Sequence, residues 1–385
     1  MTGEAAHTGV LGSQEIEAAI EKGWIGADAP IEERQVQPAS LDLRLGRRAY
    51  RLVSSFLPEG RDIEGLVLQK DYYGDNLVMY EVDIGGDGGV LERGGVYLIP
   101  LKERLALPGH IRGRSNPKST TGRLDIFARL ITDRNPRFDD IAAGYRGGLY
   151  LEVMPRSYTV KVREGLRLAQ IRLMTGPCRL DDDEIREINE RYSLLFDGDS
   201  PLPTGQMTIN DGVFMSVDLS GDASGGIVGY KSKKNSHIVD LSKTDHYKIE
   251  DFWEPVHRTS RESIILEPED FYILSSKERI RVPPRYAAEM AAYEAGSGEL
   301  RTHYAGFFDP GFGFGSHGEI RGTKAVLEVR AHDVPFMVVH GQTFFKLSFE
   351  RMGTVPRKVY GVKIGSSYQF QGITLSKQFR KDGGP

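Results

Sequence analysis

The sequence predicts an all-β protein, mainly β with short helices, made of two copies of one domain. Three observations support this class. Short segments with alternating apolar and polar residues recur between Gly, Pro, Asn and Asp turns. Only two segments have the spacing of an amphipathic helix. Several residue blocks of the first half return about 176 positions later.

Two helices and one linker interrupt the β pattern. Residues 13–24 predict a helix, with Ser13 as a possible N-cap and Gly23 near the stop. Residues 181–192 predict an acidic helix, and the Asp, Gly, Ser and Pro content of residues 197–203 is typical of a linker.

The strand predictions rest on alternation and on turn residues. Residues 38–46, Pro-Ala-Ser-Leu-Asp-Leu-Arg-Leu-Gly, alternate as in a half-buried strand. Further short strands are predicted at Leu77–Val82, Val96–Leu101, Leu149–Val153, Tyr158–Val162 and Leu166–Leu173.

The repeat is read from matched blocks. Ser40-Leu41-Asp42-Leu43 corresponds to Ser216-Val217-Asp218-Leu219, 176 residues later. Leu151-Glu152-Val153 corresponds to Leu327-Glu328-Val329 at the same offset. Lys102-Glu103-Arg104 corresponds to Lys277-Glu278-Arg279 at an offset of 175 residues. A unit of this length is a whole domain, so we predict domains at residues 1–195 and 205–385.

Composition excludes several protein classes. A net charge of −4 argues against a general nucleic-acid or membrane surface. The single Cys178 fits a reducing compartment, and no apolar run is long enough to span a bilayer. The N-terminus lacks a signal-peptide pattern, so we expect a cytoplasmic protein with no nucleic-acid or membrane partner.

The stretch from Gly113 to Arg123 carries the clearest binding chemistry. Its residues include Arg114, Ser115, Lys118, Ser119, Thr120, Thr121 and Arg123 on a Gly- and Pro-punctuated loop. Cations beside short hydroxyl donors suit a polyphosphate, whose oxygens accept charge-assisted hydrogen bonds. The spacing is not that of a P-loop. The corresponding segment of the second copy, residues 293–299, lacks these cations and contains two Glu residues.

Metal-dependent deamination is not expected from the sequence. Zinc nucleobase deaminases hold the metal with a Pro-Cys-x-x-Cys pair, whereas Pro177-Cys178 is followed by Arg, Leu and Asp. The nine His residues are scattered, without a close pair at helical spacing.

Taken together, these motifs resemble the dCTP deaminase family, which shares its fold with the trimeric dUTPases. Pro38–Gly46 matches the family's P-A-S-[VL]-D-[VL]-R-L-G segment, and residues 305–311 match part of its T-A-G-x-[IF]-D-P-G nucleoside motif. The Leu-Glu-Val strands match the segment bearing the catalytic Glu, and Tyr360 precedes a Ser367–Gly372 tail that resembles K-Y-x-x-Q-G. The resemblance implies two tandem dUTPase-like β-barrel or jelly-roll domains from an internal duplication, a fused form of the family.

The family's phosphate motif, G-R-S-S-x-x-R, aligns in two ways. Either Arg114-Ser115 is the R-S pair, or Lys118-Ser119 through Arg123 takes that role; we favour the second for its spacing. Ser367 replaces the Lys of the C-terminal motif, which removes one expected triphosphate contact.

The resemblance also implies roles for named residues. Glu328 or Glu152 would be the general base and then acid, without zinc, with Ser119 or Ser115 and Arg123 positioning water and substrate. Asp309 or Asp133 would accept a hydrogen bond from the deoxyribose 3′-hydroxyl. Further substrate-binding positions are Arg114, Lys118, Thr120, Ala305, Tyr360 and Gln371.

The expected reaction is hydrolysis of dCTP to dUTP and ammonia by a homo-oligomer, trimer or hexamer, whose sites lie between subunits. Mg²⁺ would arrive with the triphosphate, and no tightly bound protein metal is expected. Only the first copy has the cationic phosphate motif, which suggests that this motif forms a site together with Asp309 and Glu328 of the second copy. A dUTP pyrophosphatase, a bifunctional deaminase and dUTPase, and a non-catalytic nucleotide-binding regulator stay open as alternatives.

Overall fold

A computed structural model describes residues 8–68, 77–221, 226–291, 300–302, 306–331, 333–361 and 372–380. The helices are short: α1 (Ser13–Glu21), α2 (Ile63–Leu68), α3 (Ser119–Gly122), α4 (Asp182–Tyr192) and α5 (Ile249–Phe252), with 3-10 turns at Glu33–Gln35 and Thr204–Gln206. None of the helices within these ranges has the length and apolar character that crossing a bilayer requires.

Strands dominate both halves of the chain. Those of the first half are β1 (Gly9–Val10), β2 (Ile25–Ala27), β3 (Leu41–Leu43), β4 (Arg48–Leu52), β5 (Val78–Asp83), β6 (Gly89–Leu91), β7 (Val96–Ala106), β8 (Ile111–Pro117), β9 (Ile126–Ile131), β10 (Asp140–Ile141), β11 (Arg146–Pro155), β12 (Val160–Val162) and β13 (Ala169–Thr175). Those of the second half are β14 (Leu195–Asp197), β15 (Ser200–Pro201), β16 (Val213–Ser216), β17 (Ile227–Ser232), β18 (Val239–Asp240), β19 (Trp253–His257), β20 (Ser263–Leu266), β21 (Phe271–Ile280), β22 (Tyr286–Ala291), β23 (Leu300–Thr302), β24 (Phe307–Phe308), β25 (Thr323–Ala331), β26 (Phe336–Val339) and β27 (Thr343–Arg351).

The chain divides into two compact units that are not continuous in sequence. The first unit contains the described residues of Ser13–Gly176, Lys234–Lys248 and Ser376–Pro385. The second contains those of Met1–Gly12, Pro177–Lys233 and Ile249–Leu375. The predicted domains, residues 1–195 and 205–385, remain a prediction about folding units.

The same strand order occurs in both units, as an internal duplication requires. The main sheet of the first unit runs β5-β4-β7-β11-β9, and that of the second runs β19-β17-β21-β25-β23. A second sheet runs β3-β13-β8-β10 in the first unit and β16-β27-β22-β24 in the second. A smaller pairing of β6 with β12 corresponds to β20 with β26. The predicted β-rich, duplicated architecture is confirmed.

The central strands are buried on both faces, because burial runs through consecutive residues of β13, β21 and β25. In the second unit the core includes Leu274, Leu327, Phe345, Leu347 and Phe349, each almost fully buried. Burying one such side chain contributes roughly 1.5–3 kcal/mol, so these strands are held mainly by their apolar faces. In the first unit a smaller cluster gathers beneath α2 around Ile63, Leu66 and Leu98.

Both predicted helices are present, and local signals fix their ends. Helix α1 ends where Gly23 adopts a φ of +71°, with Trp24 N–H donating to the Ala19 carbonyl at 2.9 Å. At the start of α4, the Asp181 side chain accepts from the backbone of Asp183 and Glu184, and Glu184 in turn accepts from Asp181 N–H at 3.0 Å. This is a capping box.

The predicted linker at residues 197–203 is wrong in its first part. Strands β14 and β15 form a hairpin there, with Gly198 at a φ of +58° in the turn, and β14 pairs with β21. Lys277 and Arg279 of β21 lie 3.0 and 3.2 Å from Asp197 and Asp199. Polar residues that looked like a linker are therefore the tip of an edge hairpin.

Candidate functional site

The Gly113–Arg123 stretch is not one loop, as the sequence had suggested. Its first half lies in β8, which pairs along one edge with β13 and along the other with β10. Its second half forms the single turn α3, with Lys118 as the preceding residue. Pro117 ends the strand because it has no N–H to donate. The stretch thus turns sharply between Pro117 and Ser119.

Lys118 is the cation that this turn directs inward. Its Nζ lies 2.5 and 2.6 Å from the two carboxylate oxygens of Asp42, which is 2% exposed in β3. Arg167, in the loop before β13, approaches the same carboxylate at 3.5 Å. One buried carboxylate therefore holds two cations, and this pairing explains why an Asp stands at position 42 of the Pro38–Gly46 segment.

Beside α3 the first unit has a cavity of about 220 Å³. Four of its lining residues are cationic: Arg34, Lys118, Arg167 and Lys377. Thr120, Thr121 and Gln378 add polar groups to the same wall. Positive charge and short polar side chains on a concave surface are suited to an anion.

The second half of the sequence contributes part of this cavity. The Ser376 hydroxyl donates to the Thr120 carbonyl at 2.8 Å, and the Gln378 amide donates to the Leu241 carbonyl at 3.1 Å. Phe379 is buried and forms a bridge with Tyr247. The segment from Ser376 to Arg380 is thereby fixed against α3.

The remaining residues predicted in the stretch occupy different environments. Ser119 is exposed and Thr120 is half-buried at the cavity, whereas Arg123 is only 3% exposed. Arg114 and Ser115 lie within β8, and the Ser115 hydroxyl is buried without a hydrogen-bond partner in the described part of the chain. Of this stretch, only Lys118, Thr120 and Thr121 line the cavity.

Glu152, the first of the two candidate carboxylates, is fully buried in β11. Arg129 on the neighbouring β9 stands opposite it in register and donates to Oε1 through both Nε, at 3.0 Å, and Nη2. The Arg129 guanidinium also lies 4.0 Å from the centre of the Phe138 ring. This Glu is held in a side-chain pair within the sheet.

Glu328 occupies the matching position of the second unit, on β25. It is 7% exposed and stands opposite Ile273 of β21. On the equivalent strand β7, Glu152 likewise stands opposite an apolar residue, Leu98. The two Glu residues thus share both a strand position and an apolar neighbour on the central strand.

The two predicted sugar-binding Asp residues also differ. Asp133 is half-buried, and its Oδ1 accepts from Ile63 N–H at 2.8 Å. Its Oδ2 lies 3.4 Å from the Tyr145 hydroxyl, and burial together with Asp133 raises the Tyr145 pKa above its ordinary value. Both oxygens of Asp133 are therefore engaged within the first unit.

Asp309 follows β24 at a turn. It is 7% exposed, and the next turn packs Phe312 against Tyr360, with ring centres 5.3 Å apart. Tyr360 N–H donates to the Pro310 carbonyl at 2.8 Å. Gly311 has a φ of +94°, and an added Cβ would lie 2.1 Å from Val359, so only Gly allows this close approach. The turn thus brings Tyr360 beside the Asp309 motif.

Two predicted substrate-binding residues, Ala305 and Gln371, lie outside the described residues. Within the described ranges, no group of three or more His, Cys, Asp or Glu side chains is placed to hold a metal ion.

Sequence reasoning missed the contribution of Arg34, Arg167 and Lys377 to the cavity. Each lies far in sequence from Lys118, and no spacing rule connects them. The one available signal was Lys377 itself, six residues beyond Gln371 in the C-terminal motif.

Comparison with known proteins agrees with these motifs. Residues 7–177 match the model of the 2'-deoxycytidine 5'-triphosphate deaminase N-terminal domain, and residues 181–379 match that of the C-terminal domain. The crystal structure of 2'-deoxycytidine 5'-triphosphate deaminase from Agrobacterium tumefaciens superposes with a TM-score of 0.82 at 43% identity, covering 90% of this chain and 99% of that one.

More distant relatives align with about half of the chain. The dCTP deaminase of Acidianus ambivalens is 24% identical over 164 residues, which are 42% of this chain and 82% of that protein. A dUMP-forming dCTP deaminase of Corynebacterium glutamicum (strain R) is 28% identical over 172 residues, 44% of this chain and 83% of that protein. With both domain models matched and a solved relative similar along nearly its whole length, the chain belongs to the 2'-deoxycytidine 5'-triphosphate deaminase family.

Proposed function

We propose that the protein hydrolyses dCTP to dUTP and ammonia. The observation that carries this proposal is the cationic cavity beside α3, formed where the Lys118–Arg123 motif turns away from β8. A triphosphate needs several cationic and hydroxyl donors, and the cavity provides them within one unit. The family relationship supplies the choice of dCTP, the substrate named for the relatives.

Glu328 is the proposed catalytic carboxylate. It would take a proton from water as the water attacks C4 of cytosine, and then deliver that proton as the ammonia leaves. Glu152 is less suited to this work because its Oε1 is occupied by two Arg129 nitrogens and its side chain is fully buried. We therefore assign Glu152 a structural role in the first unit.

The remaining substrate contacts are proposed by motif. Ser119 and Arg123 would position water and substrate, while Lys118 and Thr120 would face the phosphates. Asp309 would accept from the 3′-hydroxyl of deoxyribose, with Ala305, Tyr360 and Gln371 completing the nucleoside and phosphate contacts. Asp133 is disfavoured for that role because its two oxygens already face Ile63 N–H and the Tyr145 hydroxyl.

Mg²⁺ is proposed to enter with the triphosphate, and the protein itself to hold no tightly bound metal. We further propose a homo-oligomer, a trimer or a hexamer, as the resemblance implies.

A bifunctional deaminase and dUTPase is the second candidate function, and a non-catalytic regulator is the third. Several relatives, including that of Corynebacterium glutamicum, are named as dUMP-forming dCTP deaminases. A bifunctional enzyme would also need a water placed at the α-phosphate, and would release pyrophosphate. A regulator that binds the nucleotide without turnover would release neither ammonia nor pyrophosphate.

Product analysis separates these possibilities. The purified protein is incubated with dCTP and Mg²⁺, with and without a strong chelator of transition metals, and nucleotides and ammonia are measured. We expect equimolar dUTP and ammonia in both samples. Formation of dUMP and pyrophosphate would show a bifunctional enzyme and contradict the simple deaminase. Intact dCTP would contradict deamination altogether. Loss of activity only with the chelator would contradict the metal-free mechanism.

A further inference from the structure

A row of one Tyr, one aliphatic residue and one Glu crosses the main sheet of each unit. The strand register places the three residues of each row directly opposite one another: Tyr50, Leu98 and Glu152 in the first unit, and Tyr230, Ile273 and Glu328 in the second. Residues that stand opposite one another on neighbouring strands point to the same side of a sheet. The row therefore marks the side of each sheet that carries the Glu.

In the first unit, the chain that follows β4 folds over this side of the sheet. Helix α2 contributes Ile63 and Leu66, each at most 3% exposed, to the apolar cluster that contains Tyr50 and Leu98 of the row. Residues 55–68 are called the plug below. The first unit thus covers its own row with its own chain.

The plug also contacts the polar groups around Glu152. Arg129 Nη2 donates to Glu152 and also to the Ser55 hydroxyl, 3.3 Å away. At the start of α2, Ile63 N–H donates to Asp133 Oδ1 at 2.8 Å. The apolar and the charged ends of the row are therefore both in contact with this segment.

The corresponding connection of the second unit takes a different course. Strands β17 and β19 pair as β4 and β5 do, but residues 234–248 between them belong to the first compact unit. The second unit has a cavity of about 490 Å³, lined in part by Tyr230, Ser275 and Lys324. Ser275 is two residues from the row along β21, and Lys324 is four residues from it along β25, so both point to the side of the row.

We propose that the plug seals the first unit's copy of this cavity, so that one chain binds one nucleotide and not two. The identity of the ligand rests on the proposed function, whereas the seal does not. Protein interiors are closely packed, so the apolar side chains of α2 occupy the space that a base or a sugar would need. The duplication thus gives one side that can receive a ligand and one that the chain itself fills.

The first test counts bound nucleotides on the wild-type protein. The probe is the α,β-imido analogue of dUTP, which neither deamination nor pyrophosphate release consumes, and equilibrium dialysis measures its binding. We expect one analogue per chain at saturation. Two analogues per chain would overturn the seal and leave the proposed function standing.

The second test measures the seal without any nucleotide. Tyr50→Cys and Tyr230→Cys place a thiol at the matched row position of each unit, and wild-type protein, with its single buried Cys178, gives the background. Labelling with iodoacetamide should be at least about 100-fold slower for Tyr50→Cys, because the plug must open first. Adding Leu66→Ala, which loosens the plug, should speed labelling of Tyr50→Cys at least about tenfold and leave Tyr230→Cys unchanged.

The two tests separate the seal from the proposed function. If wild-type protein binds no analogue, the proposed function fails, and the labelling rates alone decide the seal. Slow labelling of Tyr50→Cys that Leu66→Ala speeds up would support it. Equal rates for the two Cys variants, or a slow rate that Leu66→Ala does not change, would overturn it.

Discussion

The two units keep the same strand order but pair their matching Asp residues with different cations. In the first unit Asp42 is paired with Lys118, which comes from the turn after β8. In the second unit Asp218, 176 residues later, is paired with Lys324 from β25, and His340 approaches it at 3.4 Å. The fold therefore accepts a cation for this carboxylate from either position. A cation at the α3 turn is an added feature of the first unit, not a requirement of the architecture.

The largest stability effect is expected from removing these carboxylates. Asp42→Ala should destabilise the protein by about 3 kcal/mol, because it leaves Lys118 and Arg167 without their shared partner in a mostly buried place. Asp218→Ala should cost about 2 kcal/mol, since its side chain is 12% exposed and water can replace part of the lost pairing. Urea unfolding of both variants measures the difference. A larger loss for Asp218→Ala would contradict the comparison.

The next largest effect on stability is expected at Gly311, in the turn that follows Asp309 in the second unit. Gly311→Ala should cost about 2 kcal/mol, because the residue has a positive φ and the new methyl group would collide with Val359. Since that collision displaces Tyr360, KM for dCTP should rise as well. Gly306→Ala is the matched control, because a Cβ there would meet no atom within 4 Å. Equal losses in the two variants would show that the close approach at Gly311 is not important.

A smaller effect is expected at the start of α4, in the second unit. Asp181→Ala should lower the free energy of unfolding by about 1 kcal/mol, because Asp183 and Glu184 lose the side chain that accepts from their backbone N–H groups. Asp181→Asn should retain most of the stability, and thermal unfolding measures both. An Asn variant as unstable as the Ala variant would contradict the capping role.

The smallest effect on stability is expected at low pH. Burial disfavours ionisation of Asp218, but hydrogen bonds from Lys324 and Ser220 outweigh it, so its pKa lies below the ordinary value. A carboxyl with a lowered folded pKa stabilises the protein above its unfolded pKa, near 4, and this contribution is lost as the pH falls through the folded pKa. Asp218→Asn should therefore show a shallower loss of stability below about pH 4 than wild type. An unchanged acid slope would contradict this assignment.

Much of the fold could be predicted because its signals are local or periodic. Alternation located the strands, the capping residues Asp181 and Glu184 located α4, and the matched Asp and Glu blocks revealed the duplication. The hairpin at Leu195–Pro201 was missed because its polar residues gain their partners, Lys277 and Arg279, only through pairing with a distant strand.

The candidate site was less predictable. Composition identified Lys118 and Thr120, but it placed Gly113–Pro117 in a loop although both edges of that strand are paired. Arg167 and Lys377 reach the cavity through long-range packing, and Lys377 depends on anchors at Ser376 and Gln378. Such convergence arises from tertiary structure, which no spacing in one sequence records.

The division of work between the units is tested most directly by comparing Glu328→Gln with Glu152→Gln in single-turnover deamination of dCTP. Both changes keep the side-chain size and remove the proton-accepting carboxylate. We predict that Glu328→Gln lowers the rate by at least about 1,000-fold without lowering the melting temperature. Glu152→Gln should retain most of the rate while losing stability, because Arg129 loses its charged partner. Equal loss of rate in both variants, or loss only in Glu152→Gln, would contradict the account.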